Sequence, residues 1–153
     1  GSSREAGTTA ESLNRILAPG TYFVQVSGSS ETDYNLNLGA NAVLDGSGNT
    51  TDNALNIGIL SGTRNLSDSL NSVDTSDYYR FDLSVDSNFS LNLGELTADA
   101  DVRLLNSSGG SFASSSNGGS ESESINIPLS AGTYFVLVSG SSETDYNLTL
   151  SAT

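Results

Sequence analysis

The sequence predicts an all-β protein. The expected architecture is an antiparallel β-sandwich, jelly-roll-like, of about eight or nine strands, with an N-terminal partial repeat of three strands. Three observations carry this. Apolar and polar residues alternate in short runs, most clearly where Tyr79, Phe81, Leu83 and Val85 interleave with Tyr78, Arg80, Asp82 and Ser84. A period of two marks a strand with one buried face. Such runs recur at roughly 8–12-residue spacing between Gly, Asn and Ser turns, with no convincing helical period. Finally, residues 20–36, GTYFVQVSGSSETDYNL, return as residues 132–148, GTYFVLVSGSSETDYNL, with only Gln25 against Leu137 changed. The offset of 112 extends into the flanks, so residues 1–40 lie over 113–152. A repeat resets the domain count. Here the chain holds one whole unit and a second copy of that unit's closing third. The expected division is 1–40 partial repeat, 41–53 linker and 54–153 sandwich.

In chain order, residues 13–17 form a short apolar run closed by Pro19-Gly20. Residues 21–26 alternate, with Tyr22, Val24 and Val26 on one face and Phe23 and Gln25 on the other. After a turn, Tyr34, Leu36 and Leu38 face one way, so the copy reads as three strands ending in a hairpin. The linker centres on Asp45-Gly-Ser-Gly-Asn49, a cluster suited to turns and joints. The whole unit then opens with an apolar run at 54–60 and a weaker strand at 64–70. An acidic turn, Asp74-Thr-Ser-Asp77, precedes the Tyr79 stripe. Phe89, Leu91 and Leu93 mark the next strand, and Val102 and Leu104 another. A short strand at 111–115, a loop at 116–122, an inward face of Ile125, Ile127 and Leu129, and the repeated pair of strands complete it.

Eighteen acidic residues face five basic ones, for a formal charge of −13. That balance argues against nucleic acid and anionic membranes, whose phosphates attract Lys and Arg. With clustered carboxylates it favours a divalent cation. There is no Cys and no His, which removes thiol, imidazole and Cys/His zinc chemistry together. Serines abound without a base partner, so a Ser nucleophile is not expected. No apolar run approaches the length of about 18 residues that spans a membrane.

Five segments in order are informative: Asn53-Ala-Leu-Asn-Ile-Gly58, Asp74-Thr-Ser-Asp-Tyr-Tyr-Arg-Phe81, Ala98-Asp-Ala-Asp-Val-Arg-Leu104, Ala131-Gly-Thr-Tyr-Phe-Val136 and Tyr146-Asn-Leu148. Together they resemble the bacterial pre-peptidase C-terminal domain, a β-sandwich module of secreted proteases and other exported proteins, related to clostridial collagen-binding domains. The resemblance covers residues 45–152 as a whole domain and 1–40 as the last third of another. It implies a secreted, extracellular accessory module without catalysis. It also implies Ca²⁺, bound where the linker meets the acidic turn. The matching positions are Asp74 and Asp77 on the turn, with linker oxygens around Asp45, Asn49, Asp52 and Asn53. Calcium takes six to eight oxygen ligands at about 2.3–2.6 Å, so the two turn carboxylates need the linker's contribution.

Other residues admit both a bland and a sharper reading. Asp99 and Asp101 fall on one face, as turn residues or as a carboxylate pair for a hydrolase. Arg80 and Arg103 read as cross-strand ion pairs. Tyr78, Phe23 and Phe135 lie opposite the core stripe, where they either bind an extracellular polymer or protein ligand or pack beneath a loop. The chain is therefore expected to be a calcium-stabilised binding or maturation module of a larger secreted protein, or else a structural spacer. Since Arg15 stands where the second copy has Ile127, residues 113–152 are expected to close the sandwich. That leaves the apolar face of residues 1–40 to be covered by another molecule, most simply in a homodimer.

Overall fold

The computed structural model describes residues 1–17, 20–40 and 46–153. These divide into two compact units, Gly1–Val43 and Leu44–Thr153. The second is a sandwich of nine strands: β1 (Leu55–Ile59), β2 (Gly62–Leu70), β3 (Ser76–Leu83), β4 (Ser87–Gly94), β5 (Asp101–Asn106), β6 (Ser111–Ser115), β7 (Glu123–Leu129), β8 (Gly132–Ser139) and β9 (Thr144–Ala152). They form a five-stranded sheet in the order β1-β3-β8-β5-β6 and a four-stranded sheet in the order β2-β9-β4-β7. No helix occurs among the described residues.

The core follows from the alternation. Tyr79, Phe81 and Leu83 of β3 meet Phe89, Leu91 and Leu93 of β4, with Val102, Leu104, Val136, Val138, Tyr146, Leu148 and Leu150 around them. The Phe81 and Phe89 rings stack at 5.2 Å and 7°, and Phe81 also stacks on Tyr134 at 5.7 Å. Val85 does not join this stripe. β3 ends at Leu83, and Val85 sits exposed in the turn that carries the chain to the other sheet. Ile127 is only partly buried, because β7 is an edge strand. Arg15 at its counterpart is therefore a milder change than burial of a charge, since a long side chain reaches water from an edge.

Three further expectations are corrected by the pairing. The sandwich is not wholly antiparallel: β1 runs parallel to β3, with Leu55 opposite Tyr79. The repeated pair of strands is not a hairpin. β8 inserts between β3 and β5 and β9 between β2 and β4, so the turn between them crosses from one sheet to the other. For the same reason the described part of residues 1–40 contains no strand. β7, β8 and β9 take all their ladder partners from strands β2 to β5, and the first copy has no equivalents of these.

Residues 46–53, read as linker, are built into the sandwich. Ser47 is buried, its carbonyl accepts the Leu55 N–H at 2.9 Å, and the Gly48 carbonyl accepts the Tyr78 N–H at 2.9 Å. Gly48 has a φ of +70°, and a Cβ there would fall 2.1 Å from the Asn53 carbonyl oxygen, so only glycine fits.

Candidate metal centre

The period of two that buries Tyr79, Phe81 and Leu83 also sends Asp77 inward, at the head of the same stripe. Asp77 is fully buried. Asp74, on the preceding turn, is also buried. Asn71 shapes that turn: its side-chain oxygen accepts the N–H groups of Val73 and Asp74, and its own N–H donates to the Asp74 carbonyl at 2.7 Å. The Gly48–Tyr78 hydrogen bond brings residues 47–49 alongside the start of β3, next to Asp77.

The other expected ligands are placed differently. Asp45 lies outside the described residues. Asn49, Asp52 and Asn53 are exposed. The Asn53 side-chain oxygen accepts from Thr50 N and Oγ1 at 2.8 and 2.7 Å, the turn use of an Asn. Among the described residues, no three acidic side chains gather where they would hold a metal ion.

A buried polar chain accompanies Asp77. The Tyr146 hydroxyl donates to Asp77 Oδ2 and lies 2.6 Å from the Tyr79 hydroxyl. The Tyr79 hydroxyl is 3.0 Å from Ser47 Oγ, which donates to Asp68. The chain thus ties the 46–53 segment, both sheets and the acidic turn together. Sequence reading missed Ser47, Asp68 and Tyr146 as polar partners. Their signal was weak: Tyr146 read as plain core, and Ser47 sits in a Gly/Ser run.

Burial pushes the Tyr79 phenol up to about 12, against the hydrogen bonds from Ser47 and Tyr146 and with help from the Asp77 and Asp68 charges. Tyr146 is pushed up as well, by burial first and then by Tyr79 and Asp77. A raised phenol pKa means that the folded state keeps a proton the unfolded chain releases near pH 10. This contribution is complete below about pH 10 and lost as pH rises toward 12, at up to about 1.4 kcal/mol per pH unit per tyrosine. Urea titrations between pH 8 and 11.5 should show the fall, and Tyr79→Phe should make it shallower. Constant stability across that range would contradict the assignment.

The remaining expected residues are structural. Asp99 Oδ1 accepts the Gly119 N–H at 2.7 Å, so it braces a turn. Arg80 pairs with Asp82 on its own strand at 3.2 Å rather than across the sheet. Phe135 is 7% exposed and clusters with Leu105, Leu137, Ala54 and half-buried Tyr78 on the outer face of the five-stranded sheet. It has no open surface for a ligand. The packing of Ala54 there shows that the segment entering β1 supplies cover.

Residues 75–140 match the family model of the bacterial pre-peptidase C-terminal domain, the span from the acidic turn through the end of β8. Over that span the sandwich is similar to this family. Among solved structures, the pre-peptidase C-terminal domain of a collagenase from Bacillus anthracis shares the fold, with a TM-score of 0.54 and 20% identity over 63% of this chain and 92% of that one. Aeromonas hydrophila PliG, a periplasmic lysozyme inhibitor of g-type lysozyme, aligns with a TM-score of 0.43 and 9% identity over 65% of this chain and 96% of that one. No curated protein matches the chain. Pre-peptidase C-terminal domains are non-catalytic accessory domains of secreted proteins. No helix among the described residues is long and apolar enough to cross a membrane.

Proposed function

We propose that this sandwich is a pre-peptidase C-terminal domain acting as a calcium-stabilised, extracellular accessory module of a larger secreted protein. The observation that carries the reading is the burial of two carboxylates, Asp74 and Asp77, at one turn. Removing two like charges from water within four residues is costly unless a countercharge offsets it. The Tyr146 hydroxyl supplies one hydrogen bond to Asp77. A divalent cation would supply the charge, and Ca²⁺ suits a set made only of oxygens. Asp74 and Asp77 would hold it, with Asn49 and the backbone of the 47–49 segment as neighbouring oxygen donors. The ion's role would be to fasten that segment to the start of β3.

Bound calcium should raise stability by about 2.7 kcal/mol when the free ion is 100 times its dissociation constant. Thermal melts in Ca²⁺ and in chelator measure this, and Asp77→Ala should remove most of the gain. A melting temperature indifferent to chelator would end the calcium reading. The second reading, a purely structural spacer, draws support from the covering of Phe135 and Tyr78. Binding assays on collagen, chitin and cellulose separate a ligand-binding module from a spacer.

A further inference from the structure

Residues 1–40 keep several of the closing segment's local hydrogen bonds without its strands or their partners. In the sandwich, Ser115 Oγ and the Asn117 N–H both donate to the buried Glu123 carboxylate. In the first unit, Ser3 Oγ and the Glu5 N–H donate to Glu11 in the same way, at the same offset of 112. These bonds hold the Glu11 carboxyl below its ordinary value, the Ser3 hydroxyl first and then the Glu5 N–H. Gly7 and Gly119 share a φ of +74°. Thr32 Oγ1 donates to the Asp33 carbonyl as Thr144 Oγ1 does to that of Asp145.

The side chains correspond as closely. Val136, Val138, Tyr146, Leu148 and Leu150 are core residues, and Val24, Val26, Tyr34, Leu36 and Leu38 repeat them without change. Yet Val24 is 59% and Leu38 71% exposed, where Val136 and Leu150 are at 0%. The pairing defines what would cover them. β8 requires β3 and β5, β9 requires β2 and β4, and β7 requires β4. β7, β8 and β9 never pair with one another. Two copies of residues 1–40 therefore offer each other none of the ladders seen in the sandwich.

We propose that residues 11–40 are a strand-donating surface whose partner is the opening half, β1 to β6, of a second copy of this sandwich. The donor would complete it as 123–152 complete their own, contributing β7, β8 and β9 equivalents to both sheets, by strand addition. Two of the differences at the donor fall where they are tolerable: Arg15 replaces edge residue Ile127, and Gln25 replaces Leu137 on the outer face. The chain's own opening half stays closed by its covalently attached 113–152, whose effective concentration is high. The donor thus acts on an opening half that lacks closing strands.

The test mixes the full 153-residue chain with a polypeptide of residues 46–122, which carries β1 to β6, diluted from denaturant, and follows mass by native mass spectrometry and protection by hydrogen exchange. A 1:1 complex with new amide protection in residues 21–40 is expected. In the full chain, Val24→Asp with Leu36→Asp should weaken capture by roughly 100-fold or more. The sandwich's own melting reports that the variant remains folded, since both changes lie outside it. Absence of a complex with wild type overturns the proposal, as does undiminished capture by the double variant. A full chain already dimeric through residues 1–40 and indifferent to the fragment overturns it in favour of packing between two first units.

Discussion

Phe81→Ala should destabilise the sandwich by about 3–5 kcal/mol, the cost of a large-to-small change that leaves a cavity. Phe81 is fully buried on the strand that runs between β1 and β8. Its ring lies between those of Phe89, across the sandwich, and Tyr134, on the neighbouring strand. Removing it forfeits burial and two ring contacts at once, and the flanking rings are held by their own strands. A domain of about 100 residues loses roughly 4–8 °C in Tm per kcal/mol, so the transition should fall by tens of degrees. Urea unfolding of the purified variant gives the free energy directly. A loss below about 1 kcal/mol would mean that the two faces of β3 have been assigned the wrong way round.

Glu123→Ala should cost about 2–4 kcal/mol, from the loss of two hydrogen bonds to a buried charged group. The Glu123 side chain is fully buried at the start of β7, where it gathers the Ser115 hydroxyl and the Asn117 N–H and so closes the loop from β6. Glu11→Ala is the internal control. It removes the same local pattern from the first unit, where Glu11 is exposed. The sandwich transition should not move. Equal effects from the two substitutions, or none from Glu123→Ala, would show that the carboxylate does not secure the β6–β7 connection.

The extent to which each residue was legible follows from the range of the interaction that places it. Alternation along one strand is local, so the inward stripes of β3, β4, β7 and β9 could be read directly. Asp77 was legible by the same rule, since it shares parity with Tyr79 and Phe81. The exposed turn position of Val85 was not, because a strand's end depends on where its neighbours stop. Phe135 and Tyr78 lie on the expected outer face, but what covers them comes from residues 80 or so earlier in the case of Phe135, through Ala54. Ser47 became a core polar residue only because Tyr79, Tyr146 and Asp68 converge on one end of the sandwich.

By itself the sequence determined the fold class, the stripes that form the core, the acidic turn and the duplication. These depend on periodicity and identity along the chain. The tertiary structure decided which strands pair. It set β1 parallel to β3, sent β8 and β9 to different sheets, and docked residues 46–53 against the acidic turn. It also made the two nearly identical segments different, one exposed and without strands, the other at the centre of both sheets. Backbone hydrogen bonds across a sheet come from distant strands, so a segment with every side chain of a strand becomes one only where partners for its N–H and C=O groups exist.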